Sequence, residues 1–142
     1  MARNEIVVAA PRERVFGILA DPAKYAEWVV GAAGVHDADE RWPQAGSRLR
    51  HRTGVGRASI DDATEVVESQ PPARIVLIAH LGVLGSFRVE LVLEELEGAA
   101  TRIVMEEEPI EGVSRLAGPV GDAAGRVRNA LSLRRLKELS ER

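Results

Sequence analysis

The closing stretch, Gly121 to Arg142 (GDAAGRVRNALSLRRLKELSER), constrains this chain most. It reads as one long amphipathic helix, whereas the segment from Gly46 to Pro109 alternates polar and apolar residues in the manner of strands. A sheet with one apolar face needs a second layer to cover it, and the closing helix is the longest element left for that purpose. Sheet and helix are therefore expected to enclose a cavity, most directly under Ala123 to Leu131.

The rest of the composition narrows the class of protein. A chain of 142 residues suits one domain, 1–142, and folding at that size buries about 68–70% of the unfolded surface. With no cysteine, disulfide frameworks, thiolate catalysis and cysteine zinc sites are excluded. The net charge of -3 gives no electrostatic reason to expect nucleic acid or anionic lipid as a partner. Of 19 basic residues only Lys24 and Lys137 are lysine, and the arginines are scattered. Ile6 to Ala10 is too short for a signal-peptide core, and no run approaches the ~20 apolar residues of a membrane span. A cytoplasmic location, without membrane insertion, is the expectation.

Taken in order, Glu5 to Ala10 forms a short strand. Pro11 then opens a helix in which Val15, Ile18 and Leu19 make one stripe, ended by Asp21-Pro22. A second short helix carries Tyr25 and Trp28. After weakly patterned sequence with a strand around Val35 to Ala38, Ser47 to Thr53 alternates cleanly: Arg48, Arg50 and Arg52 face out, so Leu49 and His51 face in. In the next strand, Arg57 to Ser69, the inner face is set by Ala58, Ile60, Thr64 and Val66, and Asp62 goes with them unless a bulge flips it outward. Arg74 to Leu81 is apolar on both faces and leaves the direction of His80 open. Phe87, Val89, Leu91 and Leu93 define the inner face of Ser86 to Leu96. Ile103 and Met105 do the same for Ala100 to Pro109 and bring Glu107 inward. Short turns predict an antiparallel meander.

The closing helix carries two apolar faces. Val120, Ala123, Ala124, Val127, Ala130 and Leu131 form one stripe, and Leu133, Leu136 and Leu139 a rotated one. Either its second half is wedged against the first helix pair, or those leucines face a partner subunit in a homodimer. Arg126, Arg128, Arg134, Arg135 and Lys137 read as its solvated side.

This order of elements resembles the START/Bet v 1-like (SRPBCC) superfamily, in particular its polyketide cyclase/dehydrase and lipid-transport branch. The likeness is carried by Ala10-Pro11 with Val15-Phe16, by Asp21-Pro22 and Tyr25-Ala26-Glu27-Trp28, and by Gly46-Ser47-Arg48-Leu49-Arg50. It continues in Gln70-Pro71-Pro72, Thr101-Arg102-Ile103, Glu108-Pro109 and Leu133-Arg134-Arg135-Leu136-Lys137. The resemblance implies an α+β helix-grip fold, a curved antiparallel sheet wrapped around the C-terminal helix. It also implies a pocket between them for a small hydrophobic, lipid- or polyketide-like ligand.

On that basis Trp28, Leu49, Ile60, Val66, Phe87, Val89, Leu91 and Met105, with Val127 and Leu131 from the helix, are expected as pocket walls. Each taken singly also suits a densely packed core. His51, Asp62 and Glu107 are candidate catalytic residues, because ionisable groups on an apolar face must be paired, hydrated or functional. In a cyclase-type enzyme a neutral His51 or a desolvated carboxylate would remove an acidic proton while a protonated partner polarises a carbonyl. Otherwise they sit at a wet rim or pair with arginines such as Arg115 or Arg126. Trp28 and Trp42 can stack on a flat ligand, or Trp28 can pin the helices to the sheet. His36, His51 and His80 lack the spacing of a metal site, and no cofactor is called for. Two functions lead: a carrier of a hydrophobic molecule, or a cyclase/dehydrase-type enzyme. A third, a protein-binding regulator working through the helix, is disfavoured by the charged character of the exposed helix face.

Overall fold

The computed structural model describes residues 1–53, 60–82 and 85–142, with the backbone alone at Thr53, Ile60, Asp61 and Val113. The expected first residues of the Arg57 to Ser69 strand, Ala58 among them, and the side chain of Ile60 lie outside the described residues.

Strand β1 (Ala2–Val8) leads into helix α1 (Arg12–Leu19) and, through a short 3₁₀ turn at Pro22–Lys24, into α2 (Tyr25–Trp28). Pro11 sits at the N-cap of α1, and Asp21 accepts a hydrogen bond from the Ala23 N–H to start the 3₁₀ turn. Six more strands follow: β2 (Ala32–Ala38), β3 (Arg48–Thr53), β4 (Ile60–Gln70), β5 (Arg74–His80), β6 (Ser86–Leu96) and β7 (Ala100–Glu111). A 3₁₀ turn at Val113–Leu116 connects to helix α3 (Gly118–Glu141), which begins three residues before the expected Gly121.

All seven strands form one antiparallel sheet in the order β1-β7-β6-β5-β4-β3-β2. From β2 to β7 this is the expected meander, and β1 returns to close on β7. The register sets the faces: Leu49 lies opposite Thr64, Leu77 opposite Val89 and Leu91 opposite Met105. Cross-strand partners share a face, so one continuous apolar surface runs from β3 to β7. His80 lies opposite Ala63, which in turn lies opposite Arg50, and so points to the convex side. The edge strand β2 shifts register twice against β3, between Ala32 and Gly34 and between Val35 and Asp37. At the other edge Lys137 Nζ donates to the Val7 carbonyl and Asn4 donates to the Arg126 carbonyl, so α3 lies along β1. Gly85 cannot be replaced: its φ is 98°, and an added Cβ would lie 1.8 Å from the Glu111 carbonyl oxygen.

The core lies between the concave face and the helices. It joins Val15, Phe16, Ile18 and Leu19 of α1, Leu49, Val66, Leu91 and Ile103 of the sheet, and Leu133, Leu136 and Leu139 of α3. The second half of α3 is thus wedged against the first helix and the sheet within one chain, the first of the two arrangements its sequence allows.

Candidate functional site

Toward the first half of α3 the core gives way to a cavity of about 80 Å³. Its walls come from α2 and the residues after it (Tyr25, Trp28, Val29), from the sheet (Leu77, Phe87, Val89, Met105) and from α3 (Arg128, Asn129, Ser132). Of the residues expected as walls, Trp28, Phe87, Val89 and Met105 line it. Leu49, Val66 and Leu91 are fully buried in the solid core instead.

Val127 and Leu131 are a correction. They face solvent, 65% and 46% exposed, together with Val120 and the neighbouring alanines. The side that α3 turns inward is Gly125, Arg128, Asn129 and Ser132, continuous with Leu133 and Leu136. An apolar stripe marks the inward face only where the helix packs on apolar neighbours. Here the first half borders a partly polar cavity, and the leucines of the second half set the rotation of the whole helix. Arg128, expected on the solvated side, is turned inward with it.

Two polar groupings stand in this wall. At the β3–β4 side, Thr64 Oγ1 lies 2.8 Å from Tyr25 Oη and 3.0 Å from His51 Nε2, and the Tyr25 and His51 rings are 4.9 Å apart. Burial is the largest influence on both rings. It lowers the His51 pKa below 6.5, against the raising effects of the Arg52 backbone and the Asp62 charge, and it lifts Tyr25 to about 12. Neutral His51 then fits a relay in which Tyr25 donates to Thr64 and Thr64 donates to His51 Nε2.

The second grouping is an ion pair. Arg128 Nη2 donates to Glu107 Oε1, and the guanidinium lies 5.8 Å from the Phe87 ring centroid. Burial raises the Glu107 pKa, opposed by the Arg128 charge and by the nearby Asn129 amide. Asn129 is nonetheless a weak partner, because its Nδ2 has no hydrogen bond of normal geometry among the described residues. The same holds for Trp28 Nε1, and both residues line the cavity.

The three candidate acids and bases divide unevenly. His51 and Asp62 are direct cross-strand partners on the concave side, while Glu107 sits on β7, four strand positions from β3. On a flat sheet that separation is roughly 19 Å, and curvature alone brings His51 and Glu107 to one cavity. Asp62 is buried, with one carboxylate oxygen unpartnered among the described residues, but it is not one of the lining residues. The partner of Glu107 is Arg128 rather than Arg115 or Arg126. Trp42 is a core residue whose Nε1 donates to the Leu19 carbonyl, away from the cavity. Among the described residues no cluster of His, Cys, Asp and Glu can hold a metal ion, and no helix is long and apolar enough to cross a membrane.

Tyr25, Thr64, Arg128, Asn129 and Ser132 were not among the site residues expected from the sequence. For the three on α3 a signal was present: counting back from Leu136 by three and four residues reaches Leu133, Ser132, Asn129, Arg128 and Gly125 in turn.

A curved seven-stranded sheet gripping a long C-terminal helix around a cavity defines the helix-grip, SRPBCC class. Within that class the chain belongs to the family of Activator of Hsp90 ATPase homolog 1-like proteins, whose model matches residues 9–140. No curated protein sequence matches it. Solved structures agree on the fold. The Zhui aromatase/cyclase from a Streptomyces species is 17% identical, with TM-score 0.77, over 99% of this chain and 93% of that one. The di-domain ARO/CYC BexL is 20% identical, with TM-score 0.75, over 99% of this chain and 46% of that one. A structural-genomics protein from Chromobacterium violaceum is 22% identical, with TM-score 0.71, over 99% and 96%. Identities this low establish shared architecture and leave activity to the site.

Proposed function

We propose that this protein binds a small hydrophobic molecule, lipid- or polyketide-like, in the cavity between the sheet and the first half of α3. The observation that carries this reading is the make-up of the wall. Apolar side chains (Trp28, Leu77, Phe87, Val89, Met105) dominate it, and a few polar groups converge on it, the usual composition of a small-molecule site. At about 80 Å³ the cavity is well below the roughly 300–1,000 Å³ of sites for larger ligands. It accepts one end of such a molecule as it stands, or a whole one after the helix shifts. Native mass spectrometry of protein purified from its own host should show a co-purifying mass that denaturation releases. Absence of any such mass, together with no binding of hydrophobic probes by the purified protein, would refute the reading.

A second reading is favoured by one specific observation. His51 is held neutral in a buried relay with Thr64 and Tyr25, beside the cavity, which is the state a general base requires. With Asp62 as its cross-strand neighbour and Glu107 across the cavity, the site would then perform acid-base chemistry in a cyclase, the class named for Zhui among its structural relatives. The relay also limits this reading, because a Thr64 hydroxyl donating to Nε2 occupies the lone pair that a base must use. His51→Gln separates the two: it should abolish turnover of a poly-β-ketone substrate in an enzyme and leave ligand binding intact in a carrier.

A further inference from the structure

Beside the inner cavity lies a larger hollow of about 560 Å³ at the first turns of α3, and the two have Phe87, Glu107 and Arg128 in common. The Glu107–Arg128 pair therefore stands at the divide, and a molecule that occupies both spaces must touch it.

The two charges are not equivalent. Glu107 is fixed on β7 with its side chain 9% exposed, whereas that of Arg128 is 35% exposed. Among the described residues Glu107 is the one group to which Arg128 is hydrogen-bonded, although a guanidinium has five N–H donors in a planar fork. Arg128 thus keeps donors to offer where both spaces meet. The outer lining also holds Arg115, while its Asp122 is engaged by the Met1 amino group at 2.8 Å. Across from Glu107 stands Gly125, where a Cβ would lie 3.3 Å from Oε1; the missing side chain gives the carboxylate its place under the helix.

Building on the reading of the cavity as a binding site, we infer that its ligand is an amphiphilic organic anion. The apolar body spans the inner cavity and the outer hollow, and a carboxylate-like group meets Arg128 at the divide. Such a contact is a charge-assisted hydrogen bond in a sheltered place, and the flat fork of Arg128 suits a planar oxyanion. The raised pKa of Glu107 fits this arrangement, since that carboxyl is the one able to take a proton when a second anion approaches. Phe87, which carries the guanidinium over its ring and lines both spaces, adds apolar surface for the body.

Two fluorescent probes that differ chiefly in charge test this: 8-anilinonaphthalene-1-sulfonate, and N-phenyl-1-naphthylamine, which lacks the sulfonate. Wild-type protein should bind both. Arg128→Gln should weaken the anionic probe about tenfold or more, the range of a lost bond to a charged group, and leave the neutral probe within about twofold. Glu107→Gln, which releases Arg128, should tighten the anionic probe alone, and it decides between the outcomes if Arg128→Gln does not fold. Ala79→Phe, which fills the inner cavity, should weaken both. Equal effects on the two probes, or none, in the Arg128 and Glu107 variants would overturn the inference while leaving a binding cavity. Failure of wild type to bind either probe, or indifference of both to Ala79→Phe, would overturn the cavity reading and this one with it.

Discussion

The two halves of α3 have different surroundings, one in the core and one over hollow space. From Ser132 onward the helix buries Leu133, Leu136 and Leu139, and its end is tied down: Glu141 accepts from the Ala9 N–H, and Arg14 donates to the Ser140 and Arg142 carbonyls. Before Leu131 the same helix exposes Val120 and Val127 and turns Gly125, Arg128 and Asn129 toward hollow space. One half is held by packing and the other stands over a cavity. A single helix can thus serve as core and as wall because burial in one half fixes the rotation of the other.

The comparison breaks most directly at Leu136, which is fully buried. Leu136→Ala should cost about 2–5 kcal/mol in chemical denaturation, the range for a cavity in a packed core. Thr64→Val should cost about 1–3 kcal/mol, since it removes the group shared by Tyr25 and His51 and leaves two buried polar atoms unsatisfied. It should also shift the near-ultraviolet signal of Tyr25.

A smaller effect is expected from pH. Burial puts the folded-state pKa of His51 below 6.5, so the unfolded chain binds more protons at that residue. The stability linked to it is complete above about pH 6.5 and is lost as the pH falls from there through the lower folded-state pKa. Glu107 acts in the opposite sense: its pKa is raised from 4.5, so its contribution is complete below that value and declines as the pH rises through the folded pKa. The contrast between wild type and His51→Gln isolates the histidine. Between about pH 7.5 and about pH 5.5 the wild type should lose more unfolding free energy than the variant. An equal loss would place His51 in contact with water. The smallest effect is at Val127, where Val127→Ser should stay within about 0.5 kcal/mol, as at other exposed positions. A larger loss would mean that this face is covered in solution.

The sheet was legible in the sequence because period-two alternation is enforced wherever one face is buried. Arg48, Arg50 and Arg52 were enough to turn His51 inward, and Ile103 with Met105 enough to bring in Glu107. The helix was legible as an element but not in its rotation. Val120, Val127 and Leu131 make the more regular apolar stripe, yet packing follows the leucines that meet α1, and sequence spacing does not say which stripe meets what. The pocket's polar members were hidden for a related reason. Arg128 reads as a surface residue until its carboxylate partner is known, and Glu107 lies on a different element 21 residues earlier.

The two ends of the sheet carry one more consequence. A seven-stranded open sheet has two outer strands with unmet backbone groups, and these can recruit strands from other molecules. Here β1 runs beneath α3, with the Val7 carbonyl taken by Lys137, and β2 breaks its register twice. Neither offers a long, straight row of donors and acceptors. A protein that keeps a hollow in its interior gives up packing, and its partly opened forms are the ones at risk of chain-to-chain strand addition. Guarded margins let it keep the hollow without becoming sticky.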